Sequence, residues 1–216
     1  MKTKILNFSS VFLIVVLFVG CASAYKPVKP MSVYYSNNNI NDGISYTYQY
    51  DVLQNRKNKK YVKRQRTSDI KVVAVKITNN TNFPINVGED LRLRCGGKEI
   101  VPMEPTVVKS ELKQRTLSYL FYLLLTPLKG YVQTPGSIST YNIGYVLGPG
   151  ITAGNMIVAG SANDNFEKEL MNENLVAKNI EPGKTVYGLL SFRNIAYDPI
   201  TIEVRDMEKL AEKTRE

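Results

Sequence analysis

Two thiols, one dense basic run and a small set of carboxylates are the residues in this 216-residue chain whose types and spacing could do chemistry. Cys21 stands behind an apolar run and a glycine, at the end of the N-terminal segment. Once Cys21 is acylated or cut away, Cys95 is the single remaining thiol, so no intrachain disulfide framework and no cysteine metal cluster is expected. A leftover thiol of this kind reads as a small buried hydrophobe. "RKNKKYVKRQR" carries seven basic residues and no acid: Arg56, Lys57, Lys59, Lys60, Lys63, Arg64 and Arg66. It can bind anionic headgroups or other envelope polyanions, at about 1 kcal/mol per cation near a charged surface, or it can be a solvated loop between two strands. Glu167, Glu169 and Glu173 cluster near Asp164 around Lys168 and read as an exposed helix face. Paired-carboxylate catalysis would need a cleft that spacing alone does not provide.

Several chemistries are excluded by residue type. The chain has no histidine and no tryptophan, which removes His-dependent triads, His metal sites and the usual proton shuttle at neutral pH. No G-x-S-x-G elbow, P-loop or dinucleotide fingerprint is present, and the Gly-rich tract lacks a lysine after its glycines. "NNNINDG" lacks the alternating acids and distal glutamate of a calcium loop and reads as a turn. Tyr46, Tyr48 and Tyr50 could stack on sugars, yet tyrosine also suits a pleated surface. The expectation is a protein without catalytic activity, metal or diffusible cofactor.

The first twenty residues have the order of a secretory signal: Lys2 and Lys4, the apolar run Val11 to Val19, then small residues. "FVGC", Phe18 to Cys21, resembles the lipobox of bacterial envelope lipoproteins, with Phe18 where that family most often has leucine. The resemblance implies cleavage before Cys21, an N-terminal diacylglycerol and acyl chain such as palmitate on Cys21, and, with Ala22 following, placement at the outer membrane facing the periplasm. "ASA" offers a rival cut after Ala24, which would release an unanchored protein. Removing Lys2 and Lys4 lowers the formal charge from +9 to +7, and the basic run accounts for all of it. An exported chain with no aromatic interleaved in that run beyond Tyr61 does not point to nucleic acid.

The elements that must position these groups follow from periodicity. Residues 21–30 are polar and Pro-containing, as expected of a lipidated tether. "GISYTYQYDVL" alternates as a strand, with Ile44, Tyr46, Tyr48, Tyr50 and Val52 on one face and Ser32 to Tyr35 as its hairpin partner. Ile70 to Thr78 reads as a central strand, followed by a turn and a strand after Pro84. "LRLRCGGKEIV" reads as a hairpin closed by Gly96 and Gly97, with Leu93 opposite Ile100 and Arg94 opposite Glu99. Strand signals then stop for about seventy residues: Thr106 to Leu125 reads as one helix ending before Pro127, a loop follows, and Ala159, Ala162, Phe166 and Leu170 recur at helical spacing. "LVAKNIEPGKTVYGLLSFRN" and "PITIEV" resume strand character, and 206–216 form a charged tail.

"VVAVKITNNTNFPINV" and "IEPGKTVYGLLSF" together resemble the Ig-like accessory domains of bacterial envelope lipoproteins. The resemblance implies one antiparallel Ig-like β-sandwich from residues 31–105 and 175–205; the apolar, Gly-rich helical hairpin read at 106–174 departs from those domains, which usually lack it, so the fold class is mostly β with a helical insertion, α+β. Gly144 and Gly148, and Gly150 and Gly154, give two G-x-x-x-G spacings that permit close helix approach. No charged residue occurs from Gly130 to Asn163. Thirteen residues, Thr116 to Leu128, reach roughly 20 Å, short of a bilayer core of about 30 Å, so the insertion is expected to pack on the sandwich or a partner, with insertion into one leaflet or an interfacial membrane contact as the alternative and a two-span hairpin as the third. The whole reads as a lipid-anchored cell-envelope binding or scaffolding protein, its partner an envelope protein, a second copy or an anionic lipid. The alternative is a membrane-active or pore-lining component using the glycine-rich hairpin.

Overall fold

The computed structural model describes residues 21–36 and 38–208. The expected signal segment, 1–20, and most of the charged tail, 209–216, lie outside the described residues. The chain divides into two compact units. One holds 21–24 with 114–162, the other 25–113 with the residues from 163 onward.

In chain order the strands are β1 (Asn39–Asn41), β2 (Ile44–Gln49), β3 (Ile70–Asn79), β4 (Ile85–Asn86), β5 (Leu91–Cys95), β6 (Lys98–Glu99), β7 (Gly130–Thr134), β8 (Ser137–Tyr141), β9 (Asn179–Ile180), β10 (Thr185–Arg193) and β11 (Ile200–Val204). The α-helices are α1 (Val52–Asn55), α2 (Lys59–Thr67), α3 (Val87–Asp90), α4 (Pro105–Leu112) and α5 (Gly144–Asn172), and a 3-10 run covers Thr116–Leu125.

The larger unit is α+β and built on antiparallel sheets. Its four-stranded sheet has the order β1-β2-β3-β10. β3, rich in β-branched residues that suit a pleated surface, is central and buried along nearly its whole length. Because successive side chains point to opposite faces, Val73, Val75 and Ile77 join one hydrophobic cluster while Val72 and Ala74 are buried on the other side. The three-stranded sheet, β11-β5-β6, supplies the rest of that cluster. Leu91, Leu93 and Cys95 of β5 and Ile200, Ile202 and Val204 of β11 are buried there. The alternate positions Arg92, Arg94 and Glu203 face outward and pair, with Arg94 Nε 3.0 Å from Glu203. Gly96 and Gly97, at φ 59° and 79°, close the β5–β6 turn as expected. Arg94 stands opposite Glu99 and the Ile100 amide donates to the Leu93 carbonyl at 2.9 Å.

The second face of the four-stranded sheet is covered by helices, which bury Val52, Leu53, Tyr61, Val108, Leu112, Phe166 and Leu170. Tyr25, Tyr61 and Phe166 form an aromatic trio with ring centroids 4.7 to 5.2 Å apart, a separation at which ring pairs attract beyond their buried area. The two stretches that carry the Ig-like resemblance are stitched together. Asn79 Nδ2 donates to the carbonyls of Phe83 and Ile180, and the Gly183 amide donates to the Asn79 carbonyl at 2.8 Å.

Five expectations are corrected. The hairpin partner of β2 is β1, not Ser32 to Tyr35, because Asp42 and Gly43, both at positive φ, close a two-residue hairpin immediately before it. Val52 belongs to α1, not to the tyrosine-bearing strand. The basic run is helical from Lys59 onward, after a turn at 56–58, and is not a loop between strands: straight-chain Lys, Arg and Gln are good helix formers, and Tyr61 and Gln65 give α2 a buried face. Thr106 to Leu125 is not one helix. α4 stops at Leu112, Lys113 turns to ψ 150°, and the 3-10 run begins at Thr116. Finally, residues 25–30 are packed instead of forming a tether, with Tyr25, Val28 and Pro30 buried.

Candidate functional site

The smaller unit holds Cys21 and most of the exposed apolar surface. The chain leaving Cys21 is held by two primary amides. Asn155 accepts the Ala22 amide, while Gln114 accepts the Ser23 amide at 3.2 Å and donates to its carbonyl at 2.6 Å. Gln114 is buried, and its use as a bracket fixes the residues just before the 3-10 run. Cys21 itself is half-buried. Burial first, then Tyr122 and Cys21, raise the Tyr119 hydroxyl above its ordinary value.

Three residues per turn divide the 3-10 run into clean rows. Tyr119, Tyr122 and Leu125 are buried or half-buried, while Leu117, Leu120 and Leu123 and the pair Phe121 and Leu124 are exposed. Phe121 and Leu124 keep about three-quarters of their surface, at 74% and 75%. After Lys129 comes an uncharged hairpin, β7 with β8, in register from Gly130 opposite Tyr141 to Thr134 opposite Ser137. It stands where a loop is expected from the sequence; its signal is Pro135–Gly136 between Tyr131–Val132 and Ile138, a turn pair between β-prone residues.

The first part of α5 sorts the expected helix-packing glycines into two classes. A Cβ on Gly144 would lie 2.2 Å from the Leu125 carbonyl oxygen, and one on Gly148 would lie 2.7 Å from Thr126 Oγ1. Both are therefore used inside the chain, where the helix meets the end of the 3-10 run. Gly150 and Gly154 face open space. Gly144, Gly148, Thr152 and Ala159 form the buried stripe; Val146, Gly150, Ala153, Gly154 and Ile157 are exposed. No helix among the described residues is long and apolar enough to cross a membrane.

In the larger unit the basic run divides in the same way. Arg56 donates from Nε and Nη2 to the Val28 carbonyl at 3.0 and 2.7 Å, and from Nη2 to Ser32. Arg64 donates to the Glu111 carbonyl, and Lys60 is half-buried. Lys57, Lys59, Lys63 and Arg66 are exposed. Lys59, Lys63 and Arg66 recur at helical spacing opposite the buried Tyr61 and Gln65, so they line one cationic face.

The three glutamates of the cluster do not form an acid pair, since each has its own task. Glu169 accepts the Tyr25 hydroxyl and the amides of Val28 and Lys29, Glu167 pairs with Lys109 at 2.8 Å, and Glu173 pairs with Lys178 at 3.1 Å. Asn58 completes the clamp on the 25–30 segment, accepting the Lys26 amide and donating to its carbonyl. Sequence reasoning missed this clamp because its members are spread over more than a hundred residues.

Cys95 is buried as expected, with Asn194 Nδ2 donating to its sulfur at 3.1 Å and the Tyr50 hydroxyl 3.5 Å away. An adjacent cavity of about 650 Å³ is lined by residues that include Lys98, Arg193 and Asp198. Tyr46 is buried and Tyr48 and Tyr50 pack partly against the core, so the tyrosine stripe is a structural face. Among the described residues no group of His, Cys, Asp or Glu is placed to hold a metal ion.

Comparison with protein-family models, curated proteins and solved structures finds nothing that matches this chain.

Proposed function

We propose that this chain is a lipid-anchored cell-envelope protein, acylated at Cys21, that binds or scaffolds a partner and has no catalytic activity. The observation that carries the reading is the composition of the smaller unit. It joins Cys21 to a broad exposed apolar surface, with no charged residue from Gly130 through its last residue, Ala162. Contiguous apolar patches larger than a few hundred Å² are rare on lone soluble proteins and mark interaction sites. We place the protein at the outer membrane facing the periplasm, on the strength of the lipobox and Ala22.

The body of the protein is read as an Ig-like sandwich. Two antiparallel sheets sharing one hydrophobic cluster support this, as does the hydrogen bonding between the two stretches that carry the resemblance. Fractionation of cells expressing the native chain and Cys21→Ser tests the anchor. The native chain is expected in the membrane fraction after a high-salt wash, and Cys21→Ser in the soluble fraction; equal partition of the two would overturn the anchor.

One observation favours a second reading as a membrane-active component. Gly150 and Gly154 leave a small-residue stripe open on α5, which would let a helix of another copy approach closely. Dye leakage from vesicles on adding the purified chain, lost in Gly154→Leu, would support it; no leakage would remove it.

A further inference from the structure

We infer that the exposed apolar face of the 3-10 run, together with the outward side of the first part of α5, lies in the acyl-chain region of a single membrane leaflet. The proposal rests on the membrane attachment proposed above, and names what the apolar surface meets there.

Length sets the mode of contact. Ten residues of 3-10 helix extend about 20 Å at roughly 2.0 Å per residue, which is short of the hydrocarbon core of about 30 Å. The run therefore does not cross. Exposed cations flank it, Arg115 directly before Thr116 and Lys129 four residues after Leu125. Cations at both ends belong at headgroup level, where long basic side chains keep their charge in water. A segment with both ends at one level lies along the interface, with Leu117, Phe121 and Leu124 directed about 5 to 10 Å into the acyl boundary.

The anchor is part of the same unit. Asn155 and Gln114 hold Ala22 and Ser23, and Gln114 stands two residues before the 3-10 run. An acyl chain on Cys21 thus leaves beside the 3-10 run, without a spacer. This proximity and the flanking cations favour lipid over a second copy or another protein as the occupant. The β7–β8 hairpin is assigned to the headgroup level or water instead. Among the described residues it is a two-stranded sheet, and unpaired sheet edges are not tolerated in hydrocarbon.

The absence of tryptophan permits a local test. Phe121→Trp and, as a second reporter, Leu124→Trp are made in the native full chain; both positions are exposed, so the fold tolerates them. Ile195→Trp in the larger unit, 79% exposed, is the control. Each chain is reconstituted into phosphatidylethanolamine/phosphatidylcholine vesicles whose acyl chains carry bromine, a contact quencher of indole. The expected result is blue-shifted emission with most of its intensity lost in the Phe121→Trp and Leu124→Trp chains, and neither change in the Ile195→Trp control. An unshifted, unquenched reporter at both positions in a chain that stays with the vesicles overturns the leaflet proposal and leaves the anchor intact. A blue shift without bromine quenching also overturns it, in favour of a protein partner or a second copy. Quenching that persists in the Cys21→Ser background supports insertion while removing the need for the anchor.

Discussion

At the scale of single residues, the structure separates groups that hold the chain together from groups that are available to a partner. Glu169 is the clearest example, because one carboxylate accepts a hydroxyl and two backbone amides from the 25–30 segment. Glu169→Leu leaves those donors without their acceptor and should cost about 1 to 3 kcal/mol, read as a lower urea midpoint with an unchanged slope. Cys95 gives a second test. Its thiol is 4% exposed and engaged by Asn194 and Tyr50, so a thiol reagent should leave it unmodified in the native protein and react fully in denaturant; rapid native labelling would contradict the packing. Burial as a small hydrophobe was legible from the cysteine count. The tasks of the carboxylates were not, since spacing around Lys168 cannot show that their partners lie at Tyr25, Lys109 and Lys178.

At the scale of elements, the basic run makes two opposed predictions. Arg56 is committed to the Val28 carbonyl, so Arg56→Gln should lower stability by about 1.5 to 3 kcal/mol, the range of charge-assisted hydrogen bonds. Lys57, Lys59 and Lys63 are exposed on and beside α2, so changing all three to Gln should leave the melting curve unchanged. That change should weaken binding to anionic vesicles by about 1 kcal/mol per residue; unchanged vesicle binding would leave the run a solvated face. The glycines divide similarly. Gly144→Ala forces a Cβ onto the Leu125 carbonyl and should cost about 1 to 3 kcal/mol, whereas Gly154→Ala meets open space and should gain about 0.5 to 1 kcal/mol. The strands β3, β5, β10 and β11 were legible because alternation or a long β-branched run marks a buried pleated surface. The break between α4 and the 3-10 run was not, because it depends on Gln114 reaching Ser23 across ninety-one residues of sequence.

At the scale of the whole molecule, pH response and the proposed membrane attachment are the collective properties. Burial, followed for Tyr25 by the neighbouring Glu169 carboxylate, raises the hydroxyls of Tyr25, Tyr35 and Tyr50 well above the ordinary tyrosine value of 10.0. A group that holds its proton more tightly when folded contributes stability that is fully present below its unfolded pKa. The melting temperature should therefore be flat from neutral pH to about pH 9 and fall as pH rises past about 10, with a shallower fall in Tyr25→Phe. The division into two units is not legible in the sequence, whose strand signals bound the inserted segment at 106–174. In the structure α4 and the later part of α5 belong to the larger unit, because Val108, Leu112, Phe166 and Leu170 are core residues. What remains in the smaller unit is almost wholly uncharged, and Cys21 lies within it, so the proposed anchor and the exposed apolar surface belong to one unit. The most direct test of the account is the intact mass of the mature protein extracted from membranes. The account predicts a chain beginning at Cys21 and carrying a diacylglyceryl group and an acyl chain; an unmodified chain beginning at Tyr25 would contradict it.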